Sequence, residues 1–244
     1  MKWRKKGLIY SPNGKIPWAI NSALQPTPFL LSDNVIRVYA GFRDQKGVGR
    51  IGFVDLDADN PGRILGVSEK PVLDIGIPGT FDENGVVPSA IVRREGKLYL
   101  YFAGYQLGQK VRFYVLGGLA ISEDGGNCFY RCSKVPVLER SDKELFFRVV
   151  HSTMFEKGVW RIWYGAGSQW IQGRNEQLPI YDIRYLESSD GINMGKEGRV
   201  CIGIKGGDEH RLGRPYVIRD QRLYRMFYSI GTQSKNYRLG YAES

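Results

Sequence analysis

FDENGVVPSAIVRREGKLYLYFAGYQ, Phe81 to Gln106, reads as two strands joined by a charged turn. Asp82 and Glu83 sit in an acidic turn, followed by a short apolar strand, Val86–Val92. A second turn, Arg93–Lys97, leads into an aromatic strand, Leu98–Ala103. Short runs rich in β-branched and aromatic residues, bounded by Gly, Asn and charged residues, favour a pleated and half-buried surface. The stretch therefore reads as the entry to one small antiparallel unit, with the acidic turn at the mouth of its first strand.

The rest of the chain repeats this unit. Four aromatic segments align on Tyr39, Phe102, Tyr164 and Tyr228, at steps of 63, 62 and 64 residues. Fixed periods of this length mark repeat architectures. Each aromatic strand is preceded by an opener: Pro28–Leu31, Pro88–Val92, Ser152–Phe155 and Pro215–Ile218. Each is followed by a third strand: Arg50–Leu56, Gly117–Glu123, Ile183–Glu187 and Arg238–Glu243. Asp124-Gly125 and Asp190-Gly191 then give a hairpin signal. Short fourth strands are expected at Pro71–Leu73, Pro136–Leu138 and Arg199–Ile202. No segment holds a helical period. The expected fold is all-β, a β-propeller of four-stranded antiparallel blades forming one domain over residues 1–244. The last unit lacks a fourth strand, and Lys2–Tyr10 is expected to supply it, closing the ring and removing an open sheet edge.

Lys and Arg number 35 against 25 Asp and Glu, a net charge of +10. Apart from Lys2–Lys6 the basic residues are scattered, which argues against nucleic acid as the partner and for a solvated basic surface. Two histidines and three cysteines without a CxxC pair argue against a structural metal site. No cofactor motif is present: there is no strand-to-helix GxGxxG, no phosphate-binding Gly-Lys-Ser/Thr and no HExxH. Free thiols, the absence of an apolar signal core and the lack of a membrane-length apolar run lead to the expectation of a cytoplasmic protein with no membrane partner.

IRYLESSDGIN (183–193), LGYAES (239–244), FDENGVVPS (81–89) and Arg214-Pro215 before the last opener resemble the five-bladed β-propeller proteins of the glycoside hydrolase superfamily that includes families 32, 43 and 130. The resemblance spans nearly the whole chain and is closest to glycosyl hydrolase-like bacterial members. Four units are countable here against the family's five blades. The resemblance implies a central funnel with carboxylates at the starts of the inner strands. It also implies an oligosaccharide or glycoside ligand, and the net charge of +10 adds an anionic glycan or phosphate as a further expected partner. The inner segments LQPTPFLL and VVHSTMF carry no acid where well-characterised relatives do.

Glycoside cleavage needs one carboxylic acid to protonate the leaving oxygen and a second carboxylate to activate water or attack carbon. Asp82 and Glu209 each lie six residues before an opener proline, Pro88 and Pro215, and form the expected catalytic pair. Glu83 and Asp208 adjoin them as alternates. Asp44, beside Arg43, is a third carboxylate able to tune a neighbour or hold a hydroxyl. His151 and Arg214 stand directly before openers, where Arg214 can hold a carboxylate or phosphate in bidentate fashion. Tyr105 and Trp170 fall just past strand ends and offer stacking surfaces. The expectation is a glycoside hydrolase-like protein. The alternatives are a phosphorylase and a non-catalytic glycan-binding or scaffold propeller.

Overall fold

A computed structural model describes residues 4–173, 175–221 and 223–244. Among these residues there is no helix, and the fold is all-β and propeller-like, built from fifteen strands. The first unit is a four-stranded meander, β1 (Asn21–Ser32), β2 (Val35–Arg43), β3 (Gly49–Asp57) and β4 (Ile64–Val67). The second comprises β5 (Val86–Arg94), β6 (Lys97–Leu107), β7 (Phe113–Ser122) and β8 (Tyr130–Arg131). The third runs through β9 (Phe147–Glu156), β10 (Val159–Gln172), β11 (Gln177–Ser188) and β12 (Arg199–Ile202). The fourth is β13 (Glu209–Asp220), β14 (Leu223–Thr232) and β15 (Arg238–Glu243). Short parallel pairings, Val115 with Phe147 and Tyr181 with Arg211, join the second, third and fourth units into one curled sheet.

Local chemistry explains the hairpins. Glu95 and Gly96 both take positive φ (51° and 78°) between β5 and β6, and Lys157-Gly158 (50° and 80°) does the same between β9 and β10. Two-residue loops of this hand match the twist of the flanking strands. Apolar clusters fill each junction between units. Tyr39 meets Phe81, Leu100 and Phe102 at the first, Tyr101 and Leu119 meet Trp160 and Ile162 at the second, and Trp163 and Ile183 meet Leu212 and Met226 at the third.

The two Asp-Gly segments are not tight hairpins. Asp124 accepts hydrogen bonds from the Asn127 and Cys128 amides, and Asp190 accepts from Ile192 and Asn193, so each carboxylate organises a broader loop. The preceding unit reaches into that loop. The Tyr39 hydroxyl donates to the Gly126 carbonyl at 3.1 Å and Tyr101 to Gly191 at 2.8 Å. Burial pushes the Tyr39 hydroxyl up to about 12, so it remains a donor.

Three expectations need correction. In the first two units the apolar segments at Pro71–Leu73 and Pro136–Leu138 make only single bridges, Ile51 with Leu73 and Gly117 with Leu138. The fourth strands there are β4 and β8. Residues 4–10 form no strand, and residues 1–3 lie outside the described set. Tyr10 instead packs edge-on against Phe42 (6.1 Å) in a cluster with Ile16 and Trp18, covering the apolar face of β2 and β3 while Arg4, Lys5 and Lys6 stay in solvent. Consequently the expected pairing with the last unit is not formed. β15 has β14 as its only strand partner among the described residues, and Leu239 and Tyr241 are exposed there. Among the described residues, no helix is long and apolar enough to cross a membrane.

Candidate functional site

The first strands of the units, β1, β5, β9 and β13, each carry an irregularity at the same point of the repeat. Pairing of β1 with β2 jumps from Leu24–Gly41 to Thr27–Tyr39, leaving out Gln25 and Pro26. Ser89 is passed over in β5, His151 in β9, and Arg214 and Pro215 in β13. Bulges bend a strand and re-aim its side chains, and they concentrate beside functional sites. Gln25 and Arg214 also hold positive φ (50° and 52°), a costly backbone for non-glycine residues that persists where surroundings enforce it.

These bulged residues meet. Arg214 Nη1 donates to Gln25 Oε1 (3.0 Å) and to the Pro88 carbonyl (3.3 Å), while Nη2 donates to the Pro26 carbonyl (3.0 Å). One side chain from the fourth unit thus ties the first and second together. His151 is buried, and its Nδ1 has no hydrogen-bond partner; the same holds for Ser89 Oγ. Burial, reinforced by the nearby Arg214 charge, holds the His151 imidazole well below its ordinary range, so it is neutral at pH 7.

A cavity of about 510 Å³ opens on one side of this ring, lined among others by Tyr105, Arg112, His151, Tyr181, Arg211 and Arg214. A second, of about 330 Å³, lies on the other side, lined by Phe29, Ser89, His151, Ser152 and Tyr216. His151 lines both, which makes the bulge ring a polar floor between two hollows. Tyr181 stacks on Phe147 (4.6 Å between ring centres), and its hydroxyl meets that of Tyr237. Gly213 is required beside them, since an added Cβ would lie 2.9 Å from the Tyr181 ring. Among the described residues, the larger cavity holds three guanidinium groups and a single carboxylate, Glu176, which is ion-paired to Arg112.

Of the residues expected from sequence, the cavity brings together Tyr105, His151 and Arg214. The others stand elsewhere. The Asp82 side chain is only 1% exposed and ion-paired to Arg131 at 2.6 Å, outside the cavity lining. Glu209 accepts from the Lys205 amide (2.8 Å), and Glu83 from the Gly79 amide (2.7 Å). Asp44 is held by the Lys46 and Val48 amides and by Arg50 at 2.8 Å rather than by its neighbour Arg43, which is exposed. Asp208 accepts from the Ser234 hydroxyl on the rim of a neighbouring depression. Trp170 packs between Phe113 (5.2 Å) and Phe146 (4.9 Å). Sequence reading missed Arg112, Arg211, Tyr181 and Tyr237, and also Gln25 and Ser89. The one available signal was the common repeat position of Pro26, Ser89, His151 and Arg214, spaced by 63, 62 and 63 residues.

No protein-family model matches the sequence. The chain is 36% identical over 228 residues to the uncharacterised protein Rv1502 of Mycobacterium tuberculosis strain H37Rv, an alignment covering 93% of this chain and 75% of that protein. Protein MT1551 of strain CDC 1551 is 35% identical over the same length and the same shares of both proteins. Among solved structures, a BT0996 RGII complex superposes with a TM-score of 0.71 at 18% identity, covering 98% of this chain and 74% of that one. A structure from the GH130 family of mannoside phosphorylases, which contains glycoside hydrolases targeting β-1,2-mannosidic linkages in Candida mannan, gives 0.71 at 14% identity over 98% and 75%. A thermostable family-43 glycoside hydrolase gives 0.65 at 14% identity over 93% and 72%. At these identities the likeness shows the fold alone: a propeller-like fold of the glycoside hydrolase kind.

Proposed function

This protein belongs to the family of the mycobacterial protein Rv1502, and from that footing we propose that it is a glycan-binding protein on a glycosidase-like propeller scaffold. Its ligand sits in the larger hub cavity and is bound rather than cleaved. In this reading residues 1–244 act as one domain, with the four units as blades around the bulge ring.

The observation that carries the proposal is the lining of that cavity. A two-carboxylate mechanism requires two acids facing one bond, about 5–5.5 Å apart for retention or about 6.5–9.5 Å for inversion. Here, among the described residues, the cavity offers one carboxylate, already neutralised by Arg112. It offers instead what a sugar-binding hollow uses: aromatic rings from Tyr105, Tyr181 and Tyr237, and polar groups from Gln25, His151 and Arg214. Neighbours of the same fold include proteins whose descriptions concern glycosidic substrates, which supports a carbohydrate as the ligand class.

One observation favours hydrolysis instead. Asp82 Oδ1 is buried without a hydrogen-bond partner, so one oxygen of that carboxylate is not engaged by the protein. The two readings separate in a single panel of aryl glycosides and oligosaccharides, assayed for binding and turnover with and without phosphate, for wild type and Asp82→Asn. The proposal expects binding without turnover. Turnover abolished by Asp82→Asn overturns it in favour of the hydrolase, and turnover that requires phosphate overturns it in favour of a phosphorylase.

A further inference from the structure

We infer that the glycan taken by the hub cavity carries a negative charge, a carboxylate or a phosphate, seated against Arg214 with Arg211 beside it. The inference rests on the glycan-binding reading and names its substrate class.

Arg214 carries it. The guanidinium forms the cavity floor, and its three hydrogen bonds all go to neutral oxygens, the Gln25 amide and the Pro26 and Pro88 carbonyls. No carboxylate among the described residues lies within ion-pair distance of it. Elsewhere in the molecule the enclosed guanidinium groups are matched: Arg37 by Asp55, Arg148 by Glu144, Arg184 by Asp182 and Glu144. A half-buried cation facing only neutral acceptors is costly, and a carboxylate or phosphate entering the cavity would neutralise it. The cost is visible in its acidity: burial pushes the Arg214 guanidinium down to about 10.

Two further groups converge on the same hollow. Arg211 lies 4.4 Å over the Tyr237 ring, and its Nε is buried without a hydrogen-bond partner. The His151 imidazole borders Arg214, is neutral, and has Nδ1 free. Together they place a second guanidinium and a neutral imidazole beside Arg214 in the cavity lining, while Tyr105 and Tyr181 remain for the faces of a sugar ring. Both Gln25 and Arg214 hold a left-handed backbone here, a costly conformation that their surroundings enforce. A guanidinium suits the planar fork of a carboxylate and the tetrahedral face of a phosphate equally, so the charge is common to both sources.

Isothermal titration calorimetry on the full chain distinguishes them. The probes are a uronate-terminated oligosaccharide, its neutral parent, a phosphorylated sugar and inorganic phosphate alone. The expected result is at least tenfold tighter binding of one acidic sugar over the neutral parent. That preference collapses toward unity in Arg214→Gln and is only partly retained in Arg214→Lys, which keeps the charge without the planar fork. Whether the uronate or the phosphorylated sugar wins identifies the source. Equal affinity of wild type for acidic and neutral sugars overturns the anion inference and leaves the glycan reading standing. Binding of inorganic phosphate with no sugar bound supports the anion site while removing the glycan reading. If no probe binds, both fall. The wild-type comparison decides the matter even if Arg214→Gln fails to fold.

Discussion

Asp82→Asn replaces a buried carboxylate by a neutral amide of the same shape, and the structural role assigned to Asp82 fixes the expected cost. The Asp82 side chain is 1% exposed, and its Oδ2 accepts from Arg131 Nε at 2.6 Å. Removing one partner of a fully buried ion pair costs about 3–5 kcal/mol, because the other charge is stranded. Arg131 is 22% exposed and also donates to the Asp74 carbonyl, so part of that cost is recovered by water and the remaining bond. The expected loss is about 2–4 kcal/mol by that reasoning. For a chain of this size each kcal/mol moves the melting temperature by about 2–4 °C, giving a fall of about 4–16 °C in calorimetry at pH 7. Arg131→Gln should cost a similar amount, and the double variant should cost less than the sum of the two. If Asp82→Asn melts with wild type and yet abolishes an activity on glycans, the structural assignment is refuted and Asp82 acts at a reacting bond.

Other consequences follow from the same packing. Glu144 is fully buried, accepts from the Tyr164 hydroxyl (2.8 Å) and pairs with both Arg148 and Arg184; Glu144→Gln should lower stability by about 3–5 kcal/mol in urea unfolding. Gly104→Ala should cost about 1–3 kcal/mol, because its Cβ would lie 2.5 Å from the Phe81 ring and 2.6 Å from Asp82 Cβ. His151 and His210 both have pKa values lowered by burial. The unfolded state therefore takes up more protons than the folded one below about pH 6.5, and stability should be full above that pH and decline as the pH falls beneath it. A urea midpoint that stays constant from about pH 7 to pH 5 would contradict this linkage.

The repeat was legible because its marker residues do the same physical work in successive units. Tyr39, Phe102 and Tyr164 are essentially inaccessible to solvent, so each position demanded a large ring and the period survived in plain sequence. The outer strands left no such trace. β4 and β8 are short and lie at sheet edges, and near them the more apolar Val72, Leu73 and Leu138 are buried, with Val137 half-buried, without forming a ladder. In the cavity lining, His151 and Arg214 could be anticipated because bulged residues lie directly ahead of the openers. Arg211 and Tyr181 could not, because they become neighbours only through the parallel pairing of β11 with β13. The surroundings of Asp82 were hidden for a related reason. Its offset matched that of Glu209, but the side chain turns toward Arg131, 49 residues further along, and no local pattern announces that partner.

The central claim is that ligand chemistry belongs to the ring of bulged residues and not to the Asp82 and Glu209 turns. Calorimetric titration of one acidic oligosaccharide into wild type, Arg214→Gln and Asp82→Asn, at a temperature where all three are folded, tests it most directly. The account predicts that Arg214→Gln loses the binding heat and Asp82→Asn retains it. Retention by Arg214→Gln together with loss by Asp82→Asn would contradict the account.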